Sequence, residues 1–133
     1  MAITALILDD EAQSRKALQG KLNLFCPEVS PIYEASTVDE AWELLLGHKP
    51  QMLFLDIHLA GELGFDLLEK LSTDEPEWNG AVVFVTAHDA YALRAIKFSA
   101  LDYLLKPVDP EELVKAVRKM EQDSPSAPRL GVL

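Results

Sequence analysis

The sequence predicts an α/β fold, a doubly wound five-stranded parallel sheet with helices on both faces. Two observations carry that expectation. Five short apolar stretches alternate with five segments of helical period, and four of those stretches are apolar almost throughout, as strands covered on both faces should be. The 133 residues suffice for one domain with a real core and are too few for two ordinary ones. Strand–helix alternation within one domain gives a parallel sheet whose ligands sit beyond the carboxyl ends of its strands.

The first strand is read in "ITALIL" (3–8) and the first helix over 12–25, with Ala17, Leu18, Leu22 and Phe25 on one side. "PIYEAS" (31–36) is a weaker second strand, and its Glu34 suggests a sheet edge. Thr37, with Glu40 three places on, reads as the N-cap of a helix over 37–46. "QMLFLDI" (51–57) is the third strand, and "GFDLLEKLS" (64–72) a helix with Phe65, Leu68 and Leu71 in its apolar stripe. The polar stretch "STDEPEWNG" (72–80) connects it to the fourth strand, "AVVFVT" (81–86). A shorter, less apolar helix, "DAYALRAIKF" (89–98), precedes the fifth strand, "ALDYLL" (100–105). The last helix, "PEELVKAVRKMEQ" (110–122), opens on a proline suited to a first turn and places acidic residues at the positive end of its dipole. It turns Leu113, Val114, Val117 and Met120 inward. Residues 1–122 therefore read as one domain. The segment "DSPSAPRLGVL" (123–133) reads as a linker or the start of a further C-terminal module.

The formal charge of -10, from 22 acidic against 12 basic residues, disfavours direct contact with nucleic acid or an anionic membrane. Cys26 is the single cysteine, which excludes an intrachain disulfide and a cysteine-rich metal cluster and fits a reducing compartment. The opening apolar stretch, Ile3 to Leu8, is short and has no basic leader, so no signal peptide is read. Nowhere do about 18 apolar residues run together, and the expected setting is cytoplasmic with no membrane partner.

Doubly wound folds gather the residues at their strand ends. Here those ends carry Asp9 and Asp10 after the first strand, Asp56 in the third, Thr86 in the fourth and Lys106 after the fifth. A lysine at the rim of a buried strand is costly unless an anion meets it. Carboxylates, a hydroxyl and an ammonium around one crevice can hold a hard divalent cation and leave the lysine facing a carboxylate or a phosphoryl group. "LDDEAQSRKAL" lacks both the dinucleotide fingerprint and the Walker pattern, so a bound nucleotide is disfavoured.

With these residues the sequence resembles the response-regulator receiver domain, the phosphoacceptor module of two-component signalling, over residues 3 to about 121. In that pattern an acidic pair follows the first strand, matched by Asp9 and Asp10, and the phosphorylated aspartate ends the third, matched by Asp56 in "LFLDIHL". A hydroxyl residue with a small successor matches Thr86 and Ala87, and a lysine–proline pair matches Lys106 and Pro107. The resemblance implies a flavodoxin-like sheet of strand order 2-1-3-4-5 and a cis bond between Lys106 and Pro107. It implies Mg2+ held by Asp9, Asp10, Asp56 and the backbone oxygen of His58. A phosphoryl group would pass from a sensor histidine kinase to Asp56, with Thr86 and Lys106 meeting its oxygens and Tyr103 completing a switch with Thr86. Such a module catalyses its own phosphotransfer and dephosphorylation but is a signalling switch, not a conventional enzyme.

The wording "AYALRAIKFSALDYLLKPVDPEEL" is similar to receivers joined to a LytTR-type DNA-binding domain. That likeness implies transcription regulation, a homodimer through the helix 4, strand 5, helix 5 face, and DNA contact only through a further C-terminal domain. One departure stands in "DIHLAGELGFD": Ala60 occupies a position where the family often has proline, while Gly64 matches the family's glycine. Losing the proline is expected to loosen the loop that holds the His58 carbonyl.

Each of these residues also has a plainer use. Acidic residues after a strand can cap a helix, a strand-end threonine is a β-former, and a terminal lysine can snorkel to water. Tyr103 can simply fill space at a core edge. Leu93, Ile96 and Phe98 either bury the fourth helix or mate with a second receiver, and residue type does not divide the two. As a zinc ligand His58 fits no recognised spacing with His48 or His88. Two rival functions stay open. One is a stand-alone receiver acting by protein–protein interaction, and the other a small phosphatase with Asp56 as nucleophile, for which the chain leaves little room for a substrate-covering cap.

Overall fold

The computed structural model describes residues 2–122; the segment 123–133, read as a linker or the start of another module, lies outside the described residues. In chain order the elements are β1 (Ile3–Leu8), α1 (Ala12–Phe25), β2 (Val29–Ala35), α2 (Val38–His48) and β3 (Met52–Leu55). A two-residue pair follows, β4 (His58–Leu59) and β5 (Glu62–Leu63), then α3 (Gly64–Asp74), β6 (Ala81–Thr86), α4 (Ala92–Lys97), β7 (Asp102–Leu105) and α5 (Pro110–Gln122). The main sheet is parallel in the order β2-β1-β3-β6-β7, which is the flavodoxin-like 2-1-3-4-5 pattern once the β4–β5 hairpin is set aside. β2, with Glu34, lies at the edge.

The two-residue period of a strand divides the core into two layers. Ile3, Ala5 and Ile7 of β1, Met52 and Phe54 of β3, and Val83 and Val85 of β6 face α1 and α5, meeting Leu18, Leu22, Leu113, Ala116 and Val117. The alternate residues, Leu6, Leu8, Leu53, Leu55, Val82 and Phe84, face α2, α3 and α4, meeting Val38, Ala41, Leu45, Phe65, Leu68 and Ala95. Both faces of the central strands are dry, so their sequences must be apolar throughout.

The elements depart from the sequence reading mainly at their ends. β2 starts two residues earlier than expected, at Val29, and β3 is trimmed to Met52–Leu55, so Asp56 lies just past the strand. α4 shrinks to six residues, and Phe98 is already its C-cap. On α1 the buried positions are Leu18 and Leu22, with Cys26 buried just beyond, while Ala17 and Phe25 are exposed. Ala17 sits a full 100° step around the helix from Leu18, and Phe25 falls in the last turn. The Thr37 hydroxyl accepts from the Glu40 N–H as an N-cap should, but the Glu40 carboxylate reaches back to the N–H of Ser36, one residue before the expected partner. Trp78, inside the polar connection, packs against the core and donates its indole N–H to the carbonyl of Pro50.

Register brings the strand ends level. Leu8 pairs with Leu55, Leu55 with Phe84, and Thr86 with Leu105. The residues that follow Leu8, Leu55 and Leu105 therefore emerge beside Thr86 on one edge.

Candidate functional site

Six side chains, five from four strand ends and one from a helix, meet on that edge. The Nζ of Lys106 donates to Asp9 Oδ2 at 2.7 Å, to Asp56 Oδ2 at 2.9 Å and to Ser14 Oγ at 3.3 Å. The other oxygens of the two carboxylates are also held: Asp56 Oδ1 accepts from the N–H of Ile57 at 2.7 Å, and Asp9 Oδ1 from the N–H of Glu11 at 2.9 Å. Asp9, Asp56 and Thr86 are buried, and Asp10 is exposed beside them. Asp9, Asp10 and Asp56 each offer a carboxylate oxygen, all within 4.8 Å of one another.

The charges answer to this crowding. Burial raises the Asp9 carboxyl above its ordinary pKa, and its hydrogen bonds from Lys106 and the Glu11 N–H offset only part of that. For Lys106, burial works against the charged form, but the hydrogen bonds to Asp9 and Asp56 outweigh it and raise its pKa, keeping the ammonium charged. Three carboxylates against one ammonium leave an excess of negative charge with oxygen donors converging, a set that fits a hard divalent cation such as Mg2+.

α1 braces the site from one side. Besides Ser14, Arg15 donates through Nη1 to the carbonyl of Asp9 at 2.7 Å and through Nε to Glu34 Oε1 at 3.1 Å, tying the acidic pair's backbone to the edge strand. Lys21 donates to the carbonyl of Val108 at 2.8 Å, holding the segment after Lys106. The Lys106–Pro107 bond is cis, as is Ser30–Pro31. Gly64 is required by a close approach, since a Cβ there would collide with the carbonyl of Asp56.

The opposite side is aromatic. Thr86 Oγ1 accepts from the N–H of His88 at 3.3 Å, and the Tyr103 hydroxyl donates to the His88 carbonyl, so one residue bridges the hydroxyl at the site to the aromatic on β7. The His58 side chain is exposed, with Nε2 2.9 Å from the Tyr91 hydroxyl and its ring 4.3 Å from that of His88. His48 is remote from both, stacked on Tyr33. On α4, Leu93 and Ile96 are 79% and 68% exposed, whereas Phe98 stacks on Phe65. A groove of about 510 Å3 lies at the other end of the sheet around Gln51, Trp78 and Leu101, away from these groups.

The structure thus brings together Asp9, Asp10, Asp56 and Lys106, with Thr86 and Tyr103 joined through His88. Sequence reading missed Ser14, Arg15 and Lys21. Polar residues on an amphipathic helix read as its solvated face, and no local spacing marks three of them as reaching the strand ends.

The response regulator receiver domain model matches residues 5–118. The chain is 42% identical over 118 residues to the sensory transduction protein LytT of Enterococcus faecalis, covering 89% of this chain and 48% of that protein. It is 38% identical over 120 residues to LytT of Bacillus subtilis, covering 90% and 48%. The chain therefore spans about half the length of the curated relatives it matches. Among solved structures it superposes on the receiver domain of NtrX from Brucella abortus with a TM-score of 0.77 at 28% identity, over 90% of this chain and 99% of that one.

Proposed function

The chain belongs to the response-regulator receiver family, in company with LytT-type sensory transduction proteins, and from that premise we propose that it is a phosphorylation switch whose acceptor is Asp56. The observation that carries the reading is the shared ammonium: Lys106 Nζ lies within hydrogen-bond distance of both Asp9 and Asp56, with Asp10 alongside.

In the proposed reaction a carboxylate oxygen of Asp56 attacks the phosphorus of a phosphohistidine on a sensor histidine kinase. A P–O bond forms, the P–N bond breaks, and the electron pair returns to the imidazole nitrogen, which takes a proton from solvent. Mg2+, held by Asp9, Asp10, Asp56 and the backbone carbonyl of His58, would neutralise charge on the phosphoryl oxygens. Lys106 is already charged and placed to transfer its hydrogen bond from Asp56 to a phosphoryl oxygen, and Thr86 to donate its hydroxyl to another.

That donation changes what Thr86 offers to His88, and His88 in turn holds Tyr103. The switch therefore runs from Thr86 through the residue 86–88 loop to Tyr103, favouring an inward tyrosine and altering the surface around Leu93 and Ile96, where a second receiver docks through α4, β7 and α5. The LytT relatives are about twice as long as the stretch matched here, which leaves room for an output domain; we read that domain as DNA-binding from the LytTR-like wording of residues 90–113, with the signal received in the cytoplasm. Incubation with magnesium and a small phosphoryl donor should add one phosphoryl unit to the native chain by intact mass and none to Asp56→Ala. Equal labelling of both would refute the assignment.

A further inference from the structure

Between Asp56 and α3 the chain turns back through the β4–β5 hairpin, in which His58 pairs with Leu63 and Leu59 with Glu62. The connection is Ala60–Gly61. Gly61 has a φ of +77° and Ala60 is not among the positive-φ residues, so only the second central position is left-handed, as in a type II turn. Proline suits the first central position of such a turn because its ring presets φ, and alanine leaves that torsion free in the unfolded chain. The hairpin must be fixed by other means.

Two local bonds help: the Gly64 N–H donates to the carbonyl of Ile57 at 2.7 Å, and the Leu63 N–H to Asp66 Oδ2 at 3.0 Å. Neither reaches outside the loop and the start of α3. Three other ties do: Leu59 is buried in the core, the exposed His58 ring meets the Tyr91 hydroxyl, and Glu62 makes a bond to backbone. The Glu62 Oε2 accepts from the N–H of Val38 at 2.9 Å, across 24 residues of sequence. Val38 is the first residue of α2, so its N–H has no partner within the helix and lies at the positive end of the dipole. Thr37 serves Glu40 and Glu40 serves Ser36, so Glu62 satisfies a donor that the helix's own cap leaves over. α2 is itself held by Val38, Ala41 and Leu45 in the core, which makes it a firm support.

We propose that Glu62 is a positioning residue for magnesium binding: by clamping the hairpin to α2 it fixes the backbone at His58, a constraint that a proline at residue 60 would otherwise supply. The inference rests on the reading of the His58 carbonyl and the carboxylates of Asp9, Asp10 and Asp56 as the magnesium ligands.

Magnesium titration at matched ionic strength of the native chain, Glu62→Ala, Ala60→Pro, the Glu62→Ala/Ala60→Pro double variant and Asp10→Asn tests it. Glu62→Ala should raise the Kd for magnesium about tenfold, in the range of outer-shell partners of metal ligands. Ala60→Pro alone should bind as the native chain does, and the double variant should recover most of the lost affinity. A cap that merely supports α2 would lower the unfolding midpoint of Glu62→Ala without moving its Kd, and that result overturns the proposal. So does a double variant that stays as weak as Glu62→Ala. Native affinity in Glu62→Ala with loss in Asp10→Asn rejects the role of Glu62 and leaves the magnesium site standing; native affinity in both rejects the site itself.

Discussion

Two helices on opposite faces of the sheet, α5 and α4, are held very differently. On one face, α5 buries Leu113, Ala116, Val117 and Met120 along 13 residues, and α1 sends Ser14, Arg15 and Lys21 to the strand ends. On the other, α4 has six residues and buries only Ala95. Its remaining ties are peripheral: Arg94 lies 3.5 Å from Glu69 and over the ring of Phe65, while Leu93 and Ile96 face outward. A helix with one buried residue has little packing to lose when it shifts. The difference teaches which part can respond. A charge change at Asp56 meets a rigid frame through Lys106, and a yielding one through Thr86, His88 and Tyr103.

The largest expected effect breaks the contrast at its strong side. Leu113→Ala should cost about 2 to 5 kcal/mol of stability, as a fully buried leucine removed from a packed layer does. Ile96→Ala should stay within about 0.5 kcal/mol, since it removes exposed surface and introduces a better helix former. Denaturant unfolding of the two variants beside the native chain measures both, and comparable losses would show that α4 is held as firmly as α5.

This asymmetry was only partly legible in the sequence. The strands and the last helix could be read because two-faced burial demands continuous apolar runs and α5 has a regular stripe. The acidic pair, Asp56, Thr86 and Lys106 could be read because strand ends converge in this topology, so residue type plus position implied proximity. For α4 the sequence pattern overshoots, since "DAYALRAIKF" has a helical period that the structure uses only in part, ending at Lys97 with Ser99 in the left-handed region. The β4–β5 hairpin has strands of two residues, too short for any period, with Gly61 as its one local signal. Contacts such as Arg15 with Glu34 and Glu62 with Val38 join residues far apart in sequence and leave no local pattern.

A smaller effect sharpens the contrast at its weak side. A beryllofluoride mimic with magnesium should raise the dimer fraction of the native chain, and Ile96→Asp should weaken the activated dimer by roughly tenfold or more, about 1.4 kcal/mol, by placing a charge in an apolar contact. Lys106→Ala should accept the mimic but respond less. Sedimentation over a concentration series reads all three; an Ile96→Asp dimer as strong as the native one would move the contact elsewhere.

The central claim, that phosphorylation at Asp56 is expressed through the lightly packed α4 and the segments flanking it while the α1–α5 side stays fixed, is tested most directly by amide hydrogen exchange with and without the mimic at demonstrated occupancy. At protein concentrations low enough to keep the chain monomeric, protection should change across residues 87–105 and stay constant for the buried positions of α5. Exchange that is unchanged over 87–105, or that shifts equally in α4 and α5, would contradict the account.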